Sequence, residues 1–145
     1  MKVLMQRVSN ACVDVNGMSV GSIAKGLVLF IGIEKHDDEL LAARMAERIV
    51  GYRVFADDQG KMNHDVRDAK GELLAISQFT LVADTGKGRR PGFSSAADPV
   101  LGKRLYECCV SHLNGHGVPV ATGIFAADMQ VSLVNDGPVT FMLEM

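Results

Sequence analysis

The sequence predicts an α+β domain with a mixed, mostly antiparallel, barrel-like sheet and two main helices. Three observations carry that prediction. Apolar runs of strand length recur from the first residues to the last, and only two stretches repeat apolar residues at helical spacing. No internal repeat, Pro/Ser-rich linker or polar low-complexity tract divides the chain. Its 145 residues, 48% of them hydrophobic, are one domain's worth of chain, and a domain of that size buries about 68–70% of its unfolded surface. Residues 1–145 are therefore read as a single domain.

The elements follow in order. Val3 to Val8 and Ala11 to Val15 read as strands, and Asn16-Gly17 is a hairpin signal that makes Ser19 to Ile23 the return strand. Gly26 to Ile33 is continuously apolar between glycines, the mark of a strand buried on both faces. Asp37-Asp38-Glu39 opens a helix, because carboxylates suit its positive end. Leu41, Met45 and Ile49 form its apolar face, and Gly51 stops it. Val54-Phe55 is short and strand-like, Ala56 to Gly60 is turn-rich, and Glu72 to Leu81 reads as a further strand. Asp98-Pro99 starts the second helix, a capping residue followed by proline at the first helical position. Leu101, Leu105, Cys108 and Cys109 face inward from it, and it ends near Gly115 and Gly117. Val120 to Met145 makes two or three strands.

Several function classes drop out. The longest apolar run is far short of the ~20 residues that span a bilayer, and the charged N-terminal stretch lacks a signal-peptide core. A cytoplasmic protein is the expectation. Three cysteines without a Cys-x-x-Cys pair suit neither a disulfide framework nor a zinc knuckle and are expected as buried thiols. A formal charge of −2 and a pI near 6.0 do not suit a generic nucleic-acid binder. The charge is uneven, however. Between Asp84 and Arg104 lie Lys87, Arg89, Arg90, Lys103 and Arg104 against two acidic residues, whereas Tyr106 to Met145 holds four acidic residues and no Lys or Arg.

For chemistry, Cys108, His112 and His116 share one helical face, but glycines flank that end and no acidic residue completes a zinc-hydrolase motif, so no metal and no cofactor are expected. Neither a Gly-x-Ser-x-Gly elbow nor a P-loop is present. Two segments stand out. Ser77-Gln78-Phe79-Thr80-Leu81 interleaves polar and apolar residues at a strand end. It is either an ordinary half-exposed strand or a site whose hydroxyls, amide and backbone N–H groups bind a carbonyl oxygen. Asn135-Asp136-Gly137-Pro138-Val139-Thr140 is either a hairpin turn or a rigid unit that presents its carbonyls in a fixed direction.

Together the two segments resemble the D-aminoacyl-tRNA deacylase family. Gln6-Arg7-Val8, Gly60-Lys61-Met62-Asn63, Arg90-Pro91-Gly92-Phe93-Ser94 and Phe125 to Val131 extend the resemblance over the whole chain. The resemblance implies a cytoplasmic homodimer that hydrolyses the ester joining a D-amino acid to the 3′ end of tRNA. It implies that Ser77, Gln78, Phe79 and Thr80 line the pocket. Gly137 and Pro138 would form a cis dipeptide reaching into the partner's pocket, held by Arg7. Thr80 is either a nucleophile or a positioning group, since no His or Lys adjoins it in sequence. If the Gly–Pro carbonyls hold the substrate's amino group, L side chains clash, D side chains point outward, and glycine slips through. Lys87, Arg89 and Arg90 are the candidates for tRNA backbone contact, and Phe125 and Met129 for packing on the terminal adenine. A non-catalytic dimeric module with a small anion or nucleotide site is the competing class, favoured by the missing base and opposed by the paired motifs.

Overall fold

The computed structural model describes residues 1–145, in which eight strands and two helices run β1 (Lys2–Val15), β2 (Met18–Ile23), β3 (Gly26–Gly32), α1 (Glu39–Val50), β4 (Phe55–Ala56), β5 (Met62–His64), β6 (Glu72–Ser77), α2 (Pro99–Gly115), β7 (Val120–Thr122) and β8 (Gln130–Glu144). A short 3₁₀ helix, Phe79–Val82, follows β6. Six strands form one mixed sheet of order β2-β1-β3-β6-β7, with β8 on the other side of β1, while β4 and β5 make a separate hairpin. β1 is the spine. Lys2 to Val8 pair with β3 and Ala11 to Val15 with β2, both antiparallel, and β8 runs antiparallel along its other edge from Lys2↔Glu144 to Asp14↔Gln130. β3, β6 and β7 are mutually parallel, which requires a crossover between each pair. The α+β class, the nearly closed sheet and the two helices stand as the sequence predicts.

Local chemistry explains the boundaries. Asn16 and Gly17 both take positive φ, 51° and 76°, the conformation a two-residue hairpin demands. Asp38 caps α1, its carboxylate accepting the Leu41 N–H at 2.8 Å. Asp98 caps α2, accepting from Val100 and Leu101 at 2.9 and 3.0 Å, with Pro99 in the first turn where its missing N–H costs nothing. At Gly21 a Cβ would lie 2.5 Å from the Thr122 carbonyl oxygen, so only glycine lets β2 approach β7 and bring the sheet edges together.

Two cores follow from strand alternation. Leu27, Leu29 and Ile31 of β3, with Leu73 and Ala75 of β6, meet Met45 and Ile49 of α1 and Leu105, Cys109 and Leu113 of α2. The opposite faces, Val28, Leu74 and Ile76, pack against Val8, Ala11 and Val13 of the curling β1. Being buried on both sides is why β3 reads as an unbroken apolar run.

Five expectations change. The two N-terminal runs are one strand, because β8 pairs along all of β1. The strand read over Glu72 to Leu81 ends at Ser77, beyond which the chain turns into the 3₁₀ helix. The Asn135–Thr140 segment is no hairpin. It is a bulge inside β8, where the register shifts between Gln6↔Thr140 and Val8↔Asn135. Met62–His64 pairs with β4 as a strand that the polar sequence does not announce. Of the three thiols only Cys109 is buried; Cys12 and Cys108 are half-buried, and on the helices Leu41 and Leu101 are half-buried too.

Candidate active site

A cavity of about 480 Å³ opens at the C-terminal end of β6, within the size range of small-ligand sites. Three segments build it. Ser77, Gln78 and Phe79 form one wall, Asp98, Pro99 and Gly102 at the start of α2 another, and Phe125, Ala126, Ala127 and Met129 from the β7–β8 connection the third. Ile31, Ile33, Ile76, Ala97 and Val131 make the rest of the lining apolar. Ala126 holds φ at 62°, a left-handed conformation uncommon outside glycine, and so turns the third wall inward.

The lining contains no His, Lys, Arg or Cys. Its one ionisable side chain is Asp98, whose Oδ1 already accepts both helix N–H groups. The hydroxyl of Thr80, exposed at the rim, accepts a hydrogen bond from the Gln78 amide Nε2. Leu81 N–H makes the first bond of the 3₁₀ helix, to the Gln78 carbonyl at 3.1 Å, so the N–H groups of Phe79 and Thr80 precede that ladder and have no acceptor within it. Chemically the cavity lining offers apolar surface, the Ser77 hydroxyl, the Gln78 amide and the Asp98 carboxylate, with the Thr80 hydroxyl and the Phe79 and Thr80 N–H groups beside it.

The bulge is a second cluster. Gly137 and Pro138 are exposed and joined by a cis peptide bond, and Val139 behind them is buried. Arg7 stands on β1 opposite the bulge. Its Nε donates to the Asp136 carbonyl at 2.9 Å and lies 3.6 Å from the Asp136 carboxylate, and its Nη1 donates to the Val54 carbonyl at 2.5 Å. Asn135 closes the bulge from within. Its Oδ1 accepts the Val139 N–H at 2.7 Å, and its Nδ2 donates to the Thr140 hydroxyl at 3.0 Å. Gly137 has φ 145°, and a Cβ there would lie 2.6 Å from Val139 Cγ2 and 3.2 Å from Arg7 Nη2.

The structure thus gathers Ser77, Gln78, Phe79, Phe125 and Met129 around one cavity, with Thr80 at its rim. Gly137, Pro138 and Arg7 form a separate cluster absent from that lining. Lys87, Arg89 and Arg90 sit exposed on the loop between the 3₁₀ helix and α2. Sequence reasoning missed Gly102 and the clamp role of Asn135. A glycine in the first turn of a capped helix is the signal that could have found the first. The second was visible only as a turn-type residue. No three His, Cys, Asp or Glu side chains converge anywhere. Burial pushes the Cys109 thiol up to about 12 and raises that of Cys108, so both stay protonated at neutral pH, and neither lines the cavity.

A further concavity of about 500 Å³ lies at the opposite end of β6, beside Gly71 and Glu72. Two of its four charged side chains are engaged: Glu72 accepts the Ala24 N–H at 2.7 Å, and Arg67 pairs with Asp65 at 2.6 Å, while Lys25 and Lys70 form no ion pair.

Comparison with known proteins defines the class and then the family. In a solved structure, the c-Myc DNA Unwinding Element Binding Protein has the same fold, with a TM-score of 0.95 at 35% identity over 100% of this chain and 99% of that one. D-aminoacyl-tRNA deacylases of Alcanivorax borkumensis and Pectobacterium atrosepticum are 77% and 57% identical, over 100% and 99% of both chains in each pair. Residues 4–144 match the family described as D-Tyr-tRNA(Tyr) deacylase. The chain belongs to that family of hydrolytic enzymes.

Proposed function

We propose that this chain hydrolyses the ester of D-aminoacyl-tRNA, and of glycyl-tRNA, while sparing L-aminoacyl-tRNA. The observation that carries the mechanism is the cavity's chemistry: a mostly apolar lining without His, Lys, Arg or Cys, whose one carboxylate, Asp98, is engaged as the cap of α2, and beside it two N–H groups without an intrahelical acceptor. An aminoacyl ester is already activated. Water attacks its carbonyl carbon, and the Phe79 and Thr80 N–H groups hold the oxyanion that forms. The attacking water gives up a proton to the neighbouring ribose 2′-hydroxyl, which passes one to the departing 3′ oxygen as the ester C–O bond breaks, so that free acid and tRNA form and no protein base is required. Thr80 positions substrate in this scheme. Phe125 and Met129 pack on the terminal adenine, and Lys87, Arg89 and Arg90 meet phosphates. Membership of a deacylase family weighs against the non-catalytic module.

Chirality comes from Gly137 and Pro138. Their carbonyls hold the α-amino group, which sends an L side chain into the backbone and a D side chain outward. Because these residues are absent from the lining of their own chain's cavity, the proposal assigns them to the cavity of a second copy, in a homodimer.

Deacylation of matched D-, L- and glycyl-tRNA by the purified protein, with chelator present, tests this reading. Turnover of the D and glycyl forms but not the L form is expected. Cleavage of L as fast as D, or an enzyme that spares glycyl-tRNA even in excess, would overturn the filter. Loss of all turnover with chelator would overturn the metal-free scheme.

A further inference from the structure

Phe79 and Phe93 make a pair that packing does not explain. Their ring centroids are 5.1 Å apart with planes inclined at 46°. Yet Phe79 is 60% exposed and Phe93 40%, and neither belongs to either core. The segment that carries Phe93 is anchored to the 3₁₀ helix, to the start of its own loop and to the chain just past β3. Asp84 and Gly92 exchange two backbone hydrogen bonds of 2.8 and 2.9 Å, the Ser95 hydroxyl donates to the Val82 carbonyl at 2.7 Å, and Ala97 N–H donates to the Ile33 carbonyl at 3.1 Å. Between the two bridge residues the same loop presents Lys87, Arg89 and Arg90, none of which forms an ion pair. Phe79 is also part of the cavity wall, so the pair stands at the cavity's lip.

Exposed ring faces beside uncompensated cations match the chemistry of an unpaired nucleic-acid strand. The π-face of a base stacks on an aromatic ring whatever its sequence, and the flanking phosphates meet the cations. We infer that Phe93, backed by Phe79, is a stacking platform for the unpaired base just upstream of the terminal nucleotide. The inference rests on the proposed function, in which the cavity takes the terminal aminoacyl-adenosine. Phe93 is a positioning residue here: it contacts a base one step removed from the ester, so its loss weakens capture of the strand rather than the chemical step.

The test compares wild type with Phe93→Ala, Phe93→Leu and Phe93→Tyr in two assays. In the first, KM and kcat are measured for D-aminoacyl-tRNA and for 3′-O-D-aminoacyl-adenosine, which has no upstream base. The Ala and Leu variants are expected to raise KM for the tRNA about tenfold, within the span of one lost base–aromatic stack. The rise should exceed any on the adenosine ester by a similar factor, and Tyr should restore the wild-type value. Leu keeps apolar packing on Phe79, so a parallel loss in Ala and Leu separates stacking from folding. Equal losses on both substrates, unchanged KM on both, or a change in solution mass marking Phe93 as a subunit contact would each overturn the inference. In the second assay, binding of a short single-stranded RNA ending in CCA is followed by fluorescence anisotropy. Phe93-dependent RNA binding by a protein that hydrolyses nothing would sink the proposed function and leave the platform standing. Hydrolysis without Phe93-dependent binding would do the reverse.

Discussion

Thr80 shows how single side chains can be assigned by what touches them. Its hydroxyl accepts from the Gln78 amide, which cannot remove a proton, and the one carboxylate in the cavity lining, Asp98, is engaged as the cap of α2. Thr80→Val is therefore expected to keep most of the activity, with a loss well below the ~10²–10⁴-fold cost of removing a group that transfers protons. Complete loss of turnover with tRNA binding intact would instead mark Thr80 as the nucleophile. Asp65 is a residue of stability. Its carboxylate accepts from the Arg67 guanidinium at 2.6 Å and from the Arg67 and Asp68 backbone N–H groups at 2.8 and 3.2 Å, with the Arg67 side-chain bond the main cause that holds its pKa below the ordinary 3.8. A depressed carboxyl pKa stabilises the fold above the unfolded value, and that contribution is lost as pH falls through the folded one. Since the Arg67 side chain is exposed, solvent screens the pair and its contribution is small. Asp65→Asn should lower the melting temperature by about 2–4 °C at pH 7, and the gap should close as pH drops below 3.8. A gap that persists in acid would refute the linkage.

At the scale of elements, α2 does two jobs. Its buried residues Leu105, Cys109 and Leu113 complete the core, while its first turns form a cavity wall. Gly102 sits where these jobs meet. Glycine inside a helix costs about 1 kcal/mol relative to alanine, but a Cβ at this position would stand only 3.8 Å from the Phe125 ring, and anything larger would enter the cavity. Gly102→Ala is expected to raise the melting temperature by about 2 °C with activity retained. Gly102→Leu should abolish deacylation while the protein stays folded by circular dichroism. Full activity in the Leu variant would show that substrate lies elsewhere. The helices themselves were legible because their caps are local: Asp38 and Asp98 bond the first-turn N–H groups whatever the rest of the chain does. The bulge was not. Asn, Asp, Gly and Pro suit a hairpin turn and an excursion within one strand equally well, and the choice is made by β1, which offers β8 an edge on both sides of the excursion. Ser77-Gln78-Phe79-Thr80-Leu81 misled for a related reason. Its alternation fits a strand, but pairing to β3 stops at Ser77 opposite Ile31, and the unpaired chain tightens into a 3₁₀ turn.

For the whole molecule, the separation of the bulge from the cavity is the central fact, and it leads to a complementation test. Gly102→Leu blocks the cavity, and Gly137→Ala disturbs the bulge, where φ is 145° and no Cβ fits. If a bulge serves the cavity of a second copy, mixing the two variants under subunit exchange restores one sound site per mixed dimer. D-selective deacylation that neither variant has alone is then expected to return. No recovery, although mass measurements show mixed dimers, would assign each bulge to its own chain. The sequence by itself determined the α+β class, both helices with their caps, the first hairpin, the doubly buried β3 and the family, because these depend on neighbours in the chain or on residues read one at a time. Only the tertiary structure decided that β1 is one strand, that Asn135–Thr140 is a bulge clamped by Arg7 and Asn135, and that Gly102 and Asp98 wall the cavity. Those features depend on contacts between residues as far apart in sequence as Arg7 and Asp136, and local propensity carries no information about such contacts.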